Sequence, residues 1–279
     1  MTRLGLADLR RGITLLPGDE SQPPVDLVVQ PPGMPVGQPY GIARLPDGRL
    51  VTADRAAHRI VAVAEDGSNY ASFGVRGNGD GQFESPSGVA VGPDARILIA
   101  DTGNCRIVAI DTMRGDGWRS YGSKGSSTLE AATPGRFYRP VGIAADADGI
   151  VVADAGAARI IQLSSMDDSG WRASPPGVFR NPVAVALMPG GTIVAADLAA
   201  RAIIFLSDAS LPPVEIVADP LIPGPTALAV IDDDRLAVCC VPSNCIVKLS
   251  RTAGLWSAAV DRTLDNLGIR RPTAICLLP

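Results

Sequence analysis

One motif recurs along this chain, and the spacing of its copies limits the fold more than any other feature. The segment FESPSGVAVGPDARILIADTGNCRIVAID, Phe83 to Asp111, reads as a loop, a strand, a turn, a second strand ending in Ala-Asp, a short loop, and a third strand opening with Arg-Ile. Comparable segments begin at Pro39 (PYGIARLPDGRLVTADRAAHRIVAV), Pro140 (PVGIAADADGIVVADAGAARIIQL), Pro182 (PVAVALMPGGTIVAADLAARAIIFL) and Pro225 (PTALAVIDDDRLAVCCVPSNCIVKL). With Pro86 included, the leading prolines stand 47, 54, 42 and 43 residues apart. A repeat of that length holds one four-stranded propeller blade. The composition agrees. Hydrophobic residues make up 46% but aromatics only 4%, with 30 Gly and 24 Pro, which suits short aliphatic strands joined by tight turns.

A sixth copy starts at Pro272 with PTAICLLP, and the other end of the sequence supplies its remainder. Pro39, Pro86, Pro182 and Pro225 precede Asp54, Asp101, Asp197 and Cys240 by 15 residues each. Counting on from Pro279 to Met1 puts Asp8 at the same offset from Pro272. An apolar residue also stands three places before every leading proline: Val36, Phe83, Phe137, Phe179, Ile222 and Ile269. The expected fold is therefore all-β, a six-bladed β-propeller with four-stranded antiparallel blades. Its ring is closed by N-terminal strands joining the C-terminal strand. The expected blades are 39–85, 86–139, 140–181, 182–224, 225–271, and 272–279 together with 1–38, all in one domain spanning 1–279. Closure of this kind removes the sheet edges that an open array of blades would expose.

The pattern P-x-G-(I/V)-A, then A-D-x-x-(N/A)-x-R-I, with a G-x-F-x-x-P loop between copies, resembles the NHL repeat. The match is closest over Pro39–Val63, Pro86–Asp111 and Pro140–Leu163. The fifth copy departs most, with Cys240 in place of Asp and Asn244-Cys245 where the others carry Arg. The resemblance implies a propeller but no single activity, because propellers host unrelated functions. Lyases of this type that cleave hydroxyglycine peptides hold zinc in the channel with several histidines. This chain has one, His58. Lactonase-like and strictosidine-synthase-like propellers line the channel with acidic ligands. The inner strands here (YGIARL, SGVAVG, VGIAA, VAVALM, TALAVI, TAICLL) contain no Asp, Glu, Asn or His. NHL domains of tripartite-motif proteins bind single-stranded RNA, which makes RNA an alternative ligand here.

Other motifs read as structure. The Asp54/Arg59, Asp101/Arg106 and Asp154/Arg159 pairs recur blade after blade, whereas a catalytic group is needed once, so they are expected to cap loops through charge-assisted hydrogen bonds. RGNGDGQF (Arg76–Phe83) lacks the Gly-Lys-Ser/Thr ending of a phosphate loop and matches the repeat's own connection. Asp146-Ala-Asp148-Gly149 and Asp232-Asp233-Asp234 offer carboxylates for calcium at the rim, but aspartate is favoured in tight turns and that is the expected reading. The five cysteines form no C-x-x-C pair and read as reduced, buried thiols. The opening MTRLGLADLRR lacks the apolar core of a leader, and no window reaches the roughly 20 apolar residues of a membrane helix. A cytoplasmic setting without a membrane partner is expected.

Placing the strands sorts the loops onto two faces of a disc. The face carrying the loops after Ala-Asp and the inter-blade loops holds twelve basic residues against six acidic ones. The opposite face holds sixteen acidic residues, although the whole chain carries only −4. Turn aspartates account for the acidic face. On the basic face, arginine outnumbers lysine eleven to one, a preference that suits planar contacts with carboxylates and phosphates. Arg10, Arg11, Tyr40, Arg55, His58, Arg136, Tyr138, Arg139, Arg180, Arg201, Arg270 and Arg271 are the expected partner-binding residues. An insertion, Gly122–Arg139, is expected to overhang this face. The expected function is a binding scaffold without cofactor, metal or catalytic residue, taking an acidic protein or peptide. A propeller enzyme of lyase or lactonase type and an RNA-binding module are the alternatives.

Overall fold

A computed structural model describes residues 3–8, 12–16, 25–27 and 37–278, apart from 65–67, 126–132, 168 and 264–271. The chain is an all-β propeller with four-stranded antiparallel blades. Five blades are each built from one continuous stretch, opening with the inner strands Pro39–Arg44, Val89–Val91, Pro140–Asp146, Pro182–Leu187 and Pro225–Asp232. In each, consecutive strands pair in sequence order from inside to outside. A further four-stranded sheet pairs Pro272–Leu278 with Arg3–Asp8, followed by Gly12–Leu16 and Val25–Leu27.

Burial explains the strand sequences. The second strands Leu50–Asp54, Ile97–Asp101 and Ile193–Asp197 are buried at every residue, because neighbouring blades cover both of their faces. They accordingly read as continuous aliphatic runs rather than alternating ones. The core is therefore a series of layers between blades. Val51, Ile60, Ile97, Ile99 and Val108 fill one such layer, and Val194, Ile203, Leu236, Val238 and Val247 another.

Where it falls among the described residues, the apolar residue three places before the leading proline plugs the gap between successive blades. Phe83, Phe137, Phe179 and Ile222 are all buried, while Val36 and Ile269 lie outside the described residues. Phe83 lies 5.4 Å from the Trp118 ring and Phe137 lies 5.5 Å from Trp171, centroid to centroid. Two parallel two-residue ladders position these plugs: Val75–Arg76 with Gln82–Phe83, and Ser123–Lys124 with Arg136–Phe137. The insertion at Gly122–Arg139 thus enlarges a connection that the first blade already possesses. Its residues 126–132 lie outside the described set.

The leading proline has a structural reason. Register shifts follow Pro39, Pro140, Pro182 and Pro225, where the missing N–H interrupts the ladder. The terminal sheet shifts at the same place, with Asp8 opposite Pro272 and Ala7 opposite Ala274.

Candidate functional site

Asp54, Asp101, Asp154 and Asp197 of the Ala-Asp motifs do more than cap their own loops. The buried Asp54 carboxylate accepts the N–H groups of Gly37 and Gln38, each at 3.0 Å. Asp101 accepts Glu84 N–H at 2.8 Å, Asp154 accepts Tyr138 and Arg139, and Asp197 accepts Arg180 and Asn181. The carboxylate therefore fastens the loop entering its own blade to the loop after its second strand. Both loop sets share one face for that reason.

The arginine five residues on completes the clamp. Arg59, Arg106 and Arg159 pair with Asp54, Asp101 and Asp154 at 3.2, 2.8 and 3.2 Å. Burial pushes the Asp101 and Asp154 carboxyls above their ordinary range, opposed by the arginines and the N–H donors. Ala202 replaces the arginine in the fourth blade, and there Asp197 also accepts the N–H groups of Ala199 and Ala200. In the fifth blade both partners are replaced, and Cys240 stands in register with Cys245. Burial raises the Cys240 thiol to about 12 and puts Cys239 well above its ordinary value.

On this scaffold the structure places eight of the twelve expected contact residues. Tyr40 stands at the channel mouth with the Arg55 guanidinium 5.3 Å from its ring centroid, a cation–π contact. Arg136, Arg139, Arg180 and Arg201 are exposed on the third- and fourth-blade sector. Arg139 reaches across to Asn181 Oδ1 at 3.2 Å, and Arg136 donates to Ser123 Oγ at 2.8 Å. Tyr138 is half-buried, packed over Gly156. Arg10, Arg11, Arg270 and Arg271 lie outside the described residues.

His58 serves the framework. Its Nδ1 accepts the Ser85 N–H at 3.1 Å, tying the first blade to the second. Its backbone is left-handed, φ 55°, like Cys105, Ala158, Arg201 and Asn244 at the same place in the other blades. Cys105 makes the corresponding tie by donating to the Tyr138 carbonyl at 3.0 Å. Charge is uneven around the face. Arg76 hydrogen-bonds Glu84 and holds its carboxyl below the ordinary range, which neutralises the first-to-second blade sector. Arg180 and Arg201 have no carboxylate partner among the described residues.

The central channel has a volume of about 90 Å3. Among the described residues that line it, only Tyr40 and Thr226 are polar. The rest are glycine or aliphatic, from Ile42, Val89, Val141 and Val185 to Leu228 and Ile275. These residues do not suit a zinc site. His58 is committed to Ser85, and no group of three His, Cys, Asp or Glu among the described residues is placed to hold a metal. On the opposite face the aspartates close their own turns. Asp146 accepts Asp148 and Gly149 N–H groups, and Asp232 accepts Asp234 N–H and the Arg235 guanidinium.

Comparison with known proteins agrees with this architecture. Residues 83–110 match the NHL repeat. The chain is a β-propeller that carries the NHL repeat. No curated protein sequence matches it. Among solved structures, a chain of the nidogen/laminin complex superposes with a TM-score of 0.75 at 16% identity, covering 99% of this chain and 98% of that one. Catalytically inactive virginiamycin B lyase from Staphylococcus aureus, solved with quinupristin, gives 0.60 at 17% identity, covering 88% and 80%. A protein of unknown function from Bacteroides caccae gives 0.65 at 12% identity, covering 99% and 98%. Identities this low show the shared fold alone.

Proposed function

We propose that this chain is a non-catalytic, cytoplasmic binding scaffold that docks an acidic protein surface or peptide on its arginine-bearing face. The observation that carries this reading is the exposed sector Arg136, Arg139, Arg180 and Arg201, held on loops that buried aspartates fasten to the blades. A platform whose clamped backbone presents several arginines side by side suits planar carboxylate partners, at the cost of ordering only the arginine side chains. The fold likeness to a virginiamycin B lyase is what favours an enzyme instead. Against that reading stand the aliphatic channel lining and the structural employment of the single histidine.

The same reading takes the ring as six-bladed, with the sheet of Pro272–Leu278 and Arg3–Asp8 as its closing blade. In support, Ile275 lines the channel with residues of the other inner strands, and Asp8 opposes Pro272 as Asp54 opposes Pro39. Deleting residues 1–30 should then leave no soluble monomer with a single sharp melt; recovering one would remove the closure.

The functional test compares wild type with Arg136, Arg139 and Arg180 changed together to Glu. An array of acidic peptides and a single-stranded RNA serve as probes. The expected result is acidic-peptide binding that weakens at least about tenfold in the triple variant, at an unchanged melting temperature. Equal binding by both proteins would reject the face. RNA binding with a steep salt dependence and no peptide binding would move the assignment to nucleic acid.

A further inference from the structure

Outer strands of the propeller are short. Ala71–Phe73, Arg119–Tyr121, Arg172–Ala173 and Glu215–Val217 hold two or three residues each, which blunts their free edges. The fifth blade is different. Its outer strand, Leu255–Thr263, has 9 residues and ends the sheet.

The turn that launches this strand fixes which backbone groups are free. Ala253 and Gly254 form a two-residue connection with φ of 51° and 81°, the left-handed pair of a type I′ hairpin. Thr252 and Leu255 close that turn as a hydrogen-bonded pair. Leu255, Ser257 and Ala259 therefore aim their N–H and C=O groups at Cys245–Thr252. Trp256, Ala258 and Val260 aim theirs outward, before a register shift just past Val260 ends the regular run. From Leu255 to Val260 there is no charge and no proline. Leu255 is 74% exposed and Val260 46%. The adjoining rim of the fourth blade, linked through Trp256 Nε1 to Glu215 at 3.1 Å, exposes Val214 and Ile216 as well.

We propose that this edge pairs with the same strand of a second copy of the chain, antiparallel, about a twofold axis at Ala258. Only a strand of matching phase satisfies the outward groups, and this strand is its own antiparallel complement. In that register Trp256 opposes Val260 of the partner subunit, Ala258 opposes Ala258 of the partner subunit, and Val260 opposes Trp256 of the partner subunit. Each of the three pairs exchanges two hydrogen bonds, so every outward N–H and C=O of the run is satisfied. Apolar side chains meet apolar ones, a methyl group sits on the axis where bulk would clash, and Asp261 and Arg262 fall outside the paired run. The joined blades become one eight-stranded sheet. At about 3.4 Å per residue the paired run is only roughly 17 Å long, too short to bury the 1,000 Å2 or so of a stable interface, so the dimer is weak and reversible.

Sedimentation equilibrium of the full chain from about 5 to about 500 µM tests this. The weight-average mass should climb from 28.8 kDa toward twice that value. A258P removes the axial N–H at an edge position that tolerates proline, so it should keep its melting temperature and stay monomeric throughout. Ser257 and Ala259 of opposite copies form the close, non-hydrogen-bonded pairs, so S257C/A259C should yield a covalent dimer under oxidised glutathione. A wild type that remains monomeric at the highest concentration overturns the proposal, as does a dimer that survives A258P. A dimer that S257C/A259C fails to cross-link overturns this register.

Discussion

Replacing Arg106 with Ala tests the idea that Asp–Arg clamps, rather than the core alone, hold successive blades together. Arg106 is 9% exposed and makes four polar contacts. Its Nε donates to Asp101 at 2.8 Å, Nη1 to the Asn78 carbonyl at 2.8 Å, and Nη2 to the Gly79 and Gln82 carbonyls at 3.2 and 2.9 Å. Its guanidinium also lies 5.6 Å from the Trp118 ring centroid. R106A leaves the buried Asp101 carboxylate with only the Glu84 N–H and the Asn104 amide. Removing one partner of a buried ion pair costs about 3–5 kcal/mol. The three loop carbonyls can turn toward water and add little. At about 2–4 °C per kcal/mol, the melting temperature should fall by roughly 10 °C. Urea unfolding followed by tryptophan fluorescence gives the free energy directly. The double variant D101A/R106A should cost less than the sum of the single changes by at least about 1 kcal/mol, because it strands no charge. If R106A costs less than about 1 kcal/mol, or the two changes simply add, the clamp is not what joins these loops.

Two further outcomes follow from packing and burial. G88A should destabilise by about 1–3 kcal/mol in thermal melts, because a Cβ there would lie 2.4 Å from the Val141 carbonyl oxygen of the next blade's inner strand; an unchanged melt would contradict that close approach. Cys239 and Cys240 should resist thiol alkylation at about pH 8 in the native protein and react fully in denaturant, since a thiol at about 12 is almost wholly protonated there; mass spectrometry of the alkylated native chain would expose fast labelling at Cys240 if the fifth blade opened.

Features that repeat were legible from sequence. The prolines, the Ala-Asp endings and the Arg five residues later each mark a position that several blades use alike, so recurrence separated framework from function. The apolar plugs at Phe83, Phe137, Phe179 and Ile222 were visible by the same count. Less visible was what the aspartates fasten. Asp54 to Gly37 is a contact across 17 residues, and no local pattern announces it. The left-handed position at His58, Cys105, Ala158, Arg201 and Asn244 also carries no sequence signal, because five different residues of four chemical types occupy it and none is glycine. From sequence alone His58 reads as a contact residue, and the structure adds that its Nδ1 ties two blades together. The length of Leu255–Thr263 was hidden for another reason. LWSAAVDRT has neither the β-branched density nor the alternation that marks a strand, and its pairing is set by the turn before it.

The close packing of the inner strands bears on where such a protein can hold a ligand. Cβ atoms at Gly41, Gly88 and Gly142 would each come within 3.0 Å of backbone atoms of the next blade. Glycine there lets the blades approach, and Gly41 N–H even donates to the Ser87 carbonyl at 2.9 Å. The same choice removes three side chains from the channel wall, and the neighbouring positions are filled by aliphatic residues that seal the blades to one another. Introducing an acid or a histidine at these glycines would meet backbone rather than open space. Polar chemistry is thereby displaced to the loops, where the aspartate clamps already hold the backbone still. An arginine on such a loop has only its side chain left to order when it meets a carboxylate, because the backbone beneath it is already held, and that smaller cost lets exposed arginines contribute to binding as well as to solubility.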